Sequence, residues 1–87
     1  MISISRLNDT EFQVTVKEQV TTMHTVTLEP QYYEKLTAGK ISPETLIRKS
    51  FEFLLERESN TSIFRNFNLR VISHYFPDYE SDIRKRK

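Results

Sequence analysis

The chain has 87 residues, with 13 Lys or Arg against 12 Asp or Glu and a formal net charge of +1. This length allows one domain around one core. The absence of cysteine excludes disulfides and thiolate metal sites, the single glycine excludes a glycine-rich phosphate loop, and the near-neutral charge is not typical of a nucleic-acid binder.

The first third of the sequence predicts β-strands. Residues 2–6 alternate apolar and polar side chains, and Phe12, Val14 and Val16 continue the alternation on one face of a second strand. The next stretch, residues 20–28, is rich in Thr and Val, which favour strands. We therefore expect residues 1–29 to form a three-stranded antiparallel sheet.

Targeting signals are absent from this part of the sequence. The alternating start has no apolar block of the kind found in secretory signals, and no apolar run reaches the length of a bilayer span. We expect a cytoplasmic protein that does not bind membranes.

Helical signals occupy residues 30–77. Pro30 suits the first position of a short helix, and Gly39 lies where a left-handed C-cap would end it. The clearest local signal follows, because Ser42 is a preferred N-cap residue and Pro43 suits the first helical position. We expect a second helix from this point to about residue 58.

The second helix carries a broad apolar surface. Ile47, Phe51 and Leu54 form one stripe at helical spacing, and Leu55 widens it. Such a surface predicts either a central core helix or a helix face shared with a second subunit. The predicted core includes Phe12, Val14, Val26, Leu28, Leu36, Leu46, Ile47, Phe51, Leu54 and Ile72.

A third helix is expected between a cap at Asn66 or Asn68 and Pro77, which ends it. We expect residues 78–87, which finish on four consecutive basic side chains, to be a basic tail that adds a last turn or frays. The whole chain is therefore predicted to be a single α+β domain with two or three helices after the sheet.

Aromatic and basic residues alternate in the last third of the chain, beginning at Phe64. Stacking on aromatic rings combined with phosphate contacts is one way to bind single-stranded nucleic acid. The alternative is that the aromatic residues are core, since a small domain needs its large apolar side chains inside. We favour the core interpretation for Phe64, Phe67, Leu69, Ile72 and Phe76.

Catalytic and metal-binding chemistry is not indicated. His24 and His74 are fifty residues apart, and neither has the neighbouring His, Asp or Glu that metal-ligand spacing requires. We expect both to be surface or half-buried side chains. The carboxylates interleave with Lys and Arg as on solvated helix faces. We therefore predict a protein that is not an enzyme and has no metal, cofactor or small-molecule substrate.

Residues 26–36, followed by residues 39–48, resemble the ribbon-helix-helix DNA-binding family, and this partial resemblance covers about residues 23–58. That family places an alternating strand, a first helix, a turn and a second helix capped by Ser or Thr in this order. The matching residues are Val26 and Leu28 on the strand, Tyr32, Tyr33 and Leu36 on the first helix, and Ile41 and Ser42 at the turn and cap.

The resemblance implies a dimer whose two chains pair their strands into a ribbon that enters the major groove of DNA. It implies that Met23, Thr25 and Thr27 face the bases. It also implies that the amides after Ser42 face a phosphate, with Arg48 nearby.

Two functions remain open for a small non-enzymatic regulatory or binding protein. The first is an antitoxin-like, dimeric DNA-binding regulator of ribbon-helix-helix type, whose DNA affinity falls steeply with salt. The alternative is a protein-interaction or adaptor module without nucleic-acid binding, which uses an apolar helix face or a sheet edge to hold its partner.

Overall fold

The computed structural model describes residues 1–86 and shows an α+β fold. Within these residues a four-stranded sheet of order β1-β2-β3-β4 is accompanied by four α-helices. The strands are β1 (Ile2–Arg6), β2 (Glu11–Lys17), β3 (Thr21–Thr27) and β4 (Asn66–Asn68). The helices are α1 (Pro30–Thr37), α2 (Pro43–Leu55), α3 (Val71–Tyr75) and α4 (Tyr79–Lys85), with a short 3-10 helix at Asn60–Ser62.

The first three strands form the predicted antiparallel meander. Their register places Ile4 beside Val14 and Val14 beside His24. The turn between β1 and β2 is closed by the side chain of Asn8, whose Oδ1 accepts hydrogen bonds from the backbone amides of Thr10 and Glu11, each at 3.0 Å. Short polar side chains stabilise turns in this way.

A fourth strand was not predicted. β4 lies inside the segment expected to be entirely helical, and it pairs in parallel with β3, so that Thr25 lies beside Asn66 and Thr27 beside Asn68. The prediction of three strands is therefore incomplete. Three residues are too few to show a strand periodicity in the sequence, and the pairing depends on a partner some forty residues away.

The core lies between the sheet and the helices. All ten predicted core residues are buried in one continuous cluster. The apolar stripe of α2 belongs to it: Ile47 and Phe51 are fully buried, Leu54 is buried, and Leu55 is half-buried against the cluster. This helix face is therefore covered within the chain itself.

The start of α2 follows the predicted chemistry. Ser42 is the N-cap, and its Oγ accepts a hydrogen bond of 3.1 Å from the backbone amide of Thr45. Pro43 occupies the first helical position. The helix ends at Leu55, three residues before the predicted end, and the chain then turns toward the 3-10 helix.

The C-terminal segment differs most from its prediction. We expected a basic tail that adds a last turn or frays, whereas residues 79–85 form the seven-residue helix α4, in which Tyr79 and Ile83 are buried against the core. The physical reason is their spacing, because residues four apart lie on one face of a helix and bury together. Lys87, the last residue of the predicted tail, lies outside the described residues. None of the helices described combines the length and hydropathy required to cross a membrane.

Candidate binding groove

The residues predicted to read DNA bases lie on the sheet face opposite the helices. Met23 is exposed there, and Thr25 and Thr27 are half-exposed. Their strand, β3, pairs with β2 along its whole length and with β4 along its last three residues. Both edges of the strand at Thr25 and Thr27 are thus occupied within the chain. A ribbon between two chains would therefore need a different edge.

The predicted phosphate-binding residues lie in the helix layer, on the other side of the sheet. Ser42 caps α2 at its N-terminus. The Arg48 Nη1 donates a hydrogen bond of 2.8 Å to the backbone carbonyl of Ile2, which holds this guanidinium against β1. The structure does not bring these two residues together with Met23, Thr25 and Thr27. The resemblance to the ribbon-helix-helix family stays a prediction.

A buried polar network ties the segment after α2 to the sheet. Asn60 is buried, and its Nδ2 donates to the carbonyl of Val20 at 2.7 Å and to the Thr22 Oγ1 at 3.0 Å. His24 lies beside it and is only 1% exposed, so it is more deeply buried than we predicted. Its Nε2 is 2.9 Å from the Thr22 Oγ1, and its Nδ1 is 2.7 Å from the Phe64 carbonyl.

The direction of these hydrogen bonds follows from their partners. A carbonyl oxygen only accepts, so the His24 Nδ1 carries the hydrogen and donates to Phe64. In the neutral imidazole the Nε2 then accepts from the hydroxyl of Thr22, and that hydroxyl oxygen accepts from Asn60. Among the described residues no buried polar side-chain atom lacks a hydrogen-bond partner, so every buried polar group of this network is satisfied. It therefore fixes the backbone at Phe64 by a chain of satisfied contacts.

With its backbone held, Phe64 turns its ring outward. The side chain is 52% exposed, which corrects our prediction that it belongs to the core. Its ring meets that of Tyr75 edge to face, with centroids 5.7 Å apart, and Tyr75 is itself 59% exposed. Phe67, another predicted aromatic core member of this segment, is buried, and its ring centroid lies 6.4 Å from that of Phe64.

These two rings border an apolar groove of about 250 Å³ between the end of α2, the 3-10 helix and α3. We call it the aromatic groove. Glu58 and Ser62 supply its polar groups together with Tyr75. Its apolar walls are Leu54, Ile63, Phe67, Val71, Ile72 and Phe76.

The carboxylate of Glu58 is the distinctive polar group of the groove. The side chain is half-buried, and this burial raises the pKa of Glu58 above its ordinary value of 4.5. Its neighbour in sequence, Arg57, does not neutralise it. The Arg57 Nη2 lies 3.2 Å from an Asp78 oxygen and 3.6 Å from an Asp82 oxygen, and the guanidinium stacks 3.6 Å from the ring centroid of Phe53.

A second, wider cleft of about 630 Å³ lies beside α1 and α3. Its Lys, Arg and Glu side chains each have an oppositely charged partner: the Lys35 Nζ is 3.4 Å from a Glu80 oxygen, and Arg70 pairs with Glu29, which lies outside the lining. This cleft therefore presents no uncompensated charge to a ligand, which makes it a weaker candidate than the aromatic groove.

Metal and catalytic chemistry find no focus in the described part of the chain. Residues 1–86 contain no group of three or more His, Asp or Glu side chains that could hold a metal ion. In the aromatic groove Glu58 and Tyr75 are the titratable side chains on the lining, and Ser62 adds a hydroxyl group. Apolar walls with a few polar groups are typical of binding sites.

The sequence did not identify Glu58, Phe64 and Tyr75 as members of one binding site. One signal was present: Phe67 and Leu69 are two residues apart, as side chains on one face of an extended segment are, and Phe64 is out of phase with both. Comparison of the chain with protein-family models, with curated proteins and with solved structures gave no match. Any assignment of function to this chain therefore rests on the geometry of the groove.

Proposed function

We propose that this chain is a small non-enzymatic adaptor that captures a protein partner in the aromatic groove. The observation that supports this function is the pair of exposed, mutually packed rings of Phe64 and Tyr75 at the border of an apolar groove. Exposed aromatic side chains around a concave apolar surface are typical of interaction sites on small proteins.

The energetics favour a partner at this place. Leaving a Phe side chain in water forgoes about 1.5–3 kcal/mol that its burial would contribute. The fold holds Phe64 outward even so, through the hydrogen bond from His24 to its carbonyl. A partner that covers both rings recovers this free energy, and buried aromatic anchors of this kind dominate many interfaces.

The experiment is a selection of random phage-displayed peptides against the folded protein, followed by affinity measurements on synthetic peptides. Replacement of either ring, by Phe64→Ala or Tyr75→Ala, is expected to weaken peptide binding by about 2 kcal/mol, or about thirtyfold. Leu7→Ala is the matched control, since Leu7 is also 52% exposed but does not line the groove.

Two results would contradict this function. One is a selection that yields no binding peptide. The other is a set of peptides whose affinities are the same for the wild type, the two groove variants and the control. Circular dichroism of each variant, compared with the wild type, checks that a lost affinity is not a lost fold.

The DNA-binding dimer is the second candidate function. The observation in its favour is that Met23, Thr25 and Thr27 alternate with the buried His24 and Val26, and so share the less buried face of β3, as the family resemblance requires. Light scattering tests it, because a ribbon-helix-helix protein has no stable folded monomer. A folded monomer contradicts this candidate; a dimer leads to a DNA-binding assay at several salt concentrations.

A further inference from the structure

The charge in the aromatic groove points to the chemistry of the partner, if the groove has the proposed adaptor function. Among residues 1–86, Glu58 is the only charged side chain on the lining of the groove. No Lys, Arg or His side chain of this part of the chain lies within 4.0 Å of its carboxylate, and Arg57 is held by Asp78 and Asp82. Glu58 also lines a neighbouring cleft beside Glu18 and Val20. Within the described residues neither lining offers a Lys, Arg or His to its carboxylate, which is therefore open to a cation from a partner.

The size of the groove limits what it can hold. Pockets for cofactors and drug-sized ligands usually have volumes of about 300–1,000 Å³. At about 250 Å³ the aromatic groove is smaller and suits one long side chain of a partner. Its mixture of apolar walls, two aromatic rings and one carboxylate then selects among the side chains that could enter.

We propose that the aromatic groove receives a Lys or Arg side chain from a protein partner, with its aliphatic stem on the rings of Phe64 and Tyr75 and its cationic head paired with Glu58. Lys and Arg combine an apolar stem with a charged end, so one such side chain satisfies both kinds of surface. Cations are also attracted to the faces of aromatic rings.

Any other class of occupant would leave either the apolar surface or the carboxylate of the groove without a suitable contact. A purely aliphatic side chain would cover the rings but would desolvate the carboxylate of Glu58 without a hydrogen bond. An acidic side chain or a nucleic-acid phosphate would be repelled by the same carboxylate, and the lining offers no Lys or Arg to attract it. A basic side chain pairs with the carboxylate through charge-assisted hydrogen bonds.

The test uses the synthetic peptides obtained from the selection, measured against the wild type, Glu58→Gln and Glu52→Gln. Glu52 is the matched control because it is exposed on α2, takes part in no ion pair among the described residues and does not line the groove. Both substitutions remove one negative charge, so any difference between them reports the position of the carboxylate. In parallel, the basic residue of each peptide is replaced by norleucine, which keeps the stem and removes the charge.

We expect the selected peptides to share a Lys or Arg. Glu58→Gln should weaken binding about tenfold, and Glu52→Gln should leave it unchanged. The norleucine peptide should bind the wild type more weakly than the basic peptide does, and it should lose no further affinity for Glu58→Gln. Raising the salt concentration should weaken binding to the wild type more than binding to Glu58→Gln.

The failure of this inference can be told apart from the failure of the proposed function. Peptides that lose affinity in Phe64→Ala but lack a basic residue, or are insensitive to Glu58→Gln, would overturn the basic-side-chain inference and leave the adaptor function intact. Peptides that are insensitive to Phe64→Ala and Tyr75→Ala would overturn both. A single-stranded oligonucleotide whose binding depends on these two rings would also overturn the inference.

Discussion

Tyr79 should be the residue that attaches the C-terminal helix to the core. Its side chain is fully buried, and its ring packs edge to face on Phe53 with centroids 5.3 Å apart. Its hydroxyl lies 2.6 Å from the Ser50 Oγ. Because Ser50 donates its own hydrogen to the carbonyl of Leu46, the Tyr79 hydroxyl must be the donor of the shared hydrogen bond. Burial raises the pKa of Tyr79, so this donor keeps its proton across the neutral range.

The loss of unfolding free energy depends on which groups each substitution at Tyr79 removes. Tyr79→Phe deletes the donor and leaves the ring, so it should lower the free energy of unfolding by about 1–2 kcal/mol. Tyr79→Ala also removes the buried ring and should cost about 3–5 kcal/mol, a large share of the total stability of a domain this small. In thermal melts, each kcal/mol of unfolding free energy that Tyr79→Phe removes should lower Tm by about 4–8 °C.

Urea denaturation followed by circular dichroism measures these losses, and a double-mutant cycle isolates the hydrogen bond. Combining Tyr79→Phe with Ser50→Ala should reveal a coupling free energy of about 1 kcal/mol. Tyr75→Phe is the control, since Tyr75 is exposed and its hydroxyl makes no hydrogen bond with the described residues; its effect should stay within about 0.5 kcal/mol. A negligible cost for Tyr79→Ala would refute the docking of α4.

Three further perturbations test other parts of the fold. Asn60→Ala should lower the free energy of unfolding by about 2–3 kcal/mol, because it leaves buried acceptors without a donor; an unchanged urea midpoint would contradict this. Ser42→Ala should cost about 1 kcal/mol through loss of the N-cap, whereas Ser42→Asp should preserve stability. Hydrogen bonds from Arg86 lower the pKa values of Glu56 and Asp82 below their ordinary values of 4.5 and 3.8. The stability that these two ionised carboxylates contribute is therefore fully present at pH values above their ordinary pKa values. It is lost as the pH falls through their lowered pKa values. Arg86→Gln should flatten this acid dependence of the urea midpoint, and an unaltered dependence would count against the ion pairs.

Regular patterns accounted for the parts of the fold that could be predicted. Alternation placed Phe12, Val14 and Val16 on the buried face of β2, and helical spacing placed Ile47 and Phe51 in the core. The N-cap of α2 was readable because capping depends on residues adjacent in the sequence. These elements carry their information locally, so one sequence suffices to place them.

The parts that escaped prediction depend on distant contacts. β4 exists because it pairs with β3, and α4 is held because Tyr79 reaches Ser50 on another helix. The outward orientation of Phe64 depends on His24 in the same way. No local pattern encodes such partners, which is why the candidate site was harder to predict than the meander and the core.

The parallel strand also has a consequence for how the chain folds. The meander of β1, β2 and β3 closes through short hairpins, whereas the contact between His24 and Phe64 joins residues 40 apart in sequence. Closing a longer loop costs more conformational entropy, by about 0.6 kcal/mol for each doubling of its length, and non-local pairings generally form slowly. The hairpins should therefore assemble first, and the walls of the aromatic groove last. In hydrogen exchange, amides of β4 and the adjoining segment should open more often than those of β2. The region that we propose to meet a partner would then also be the most readily remodelled part of the folded protein.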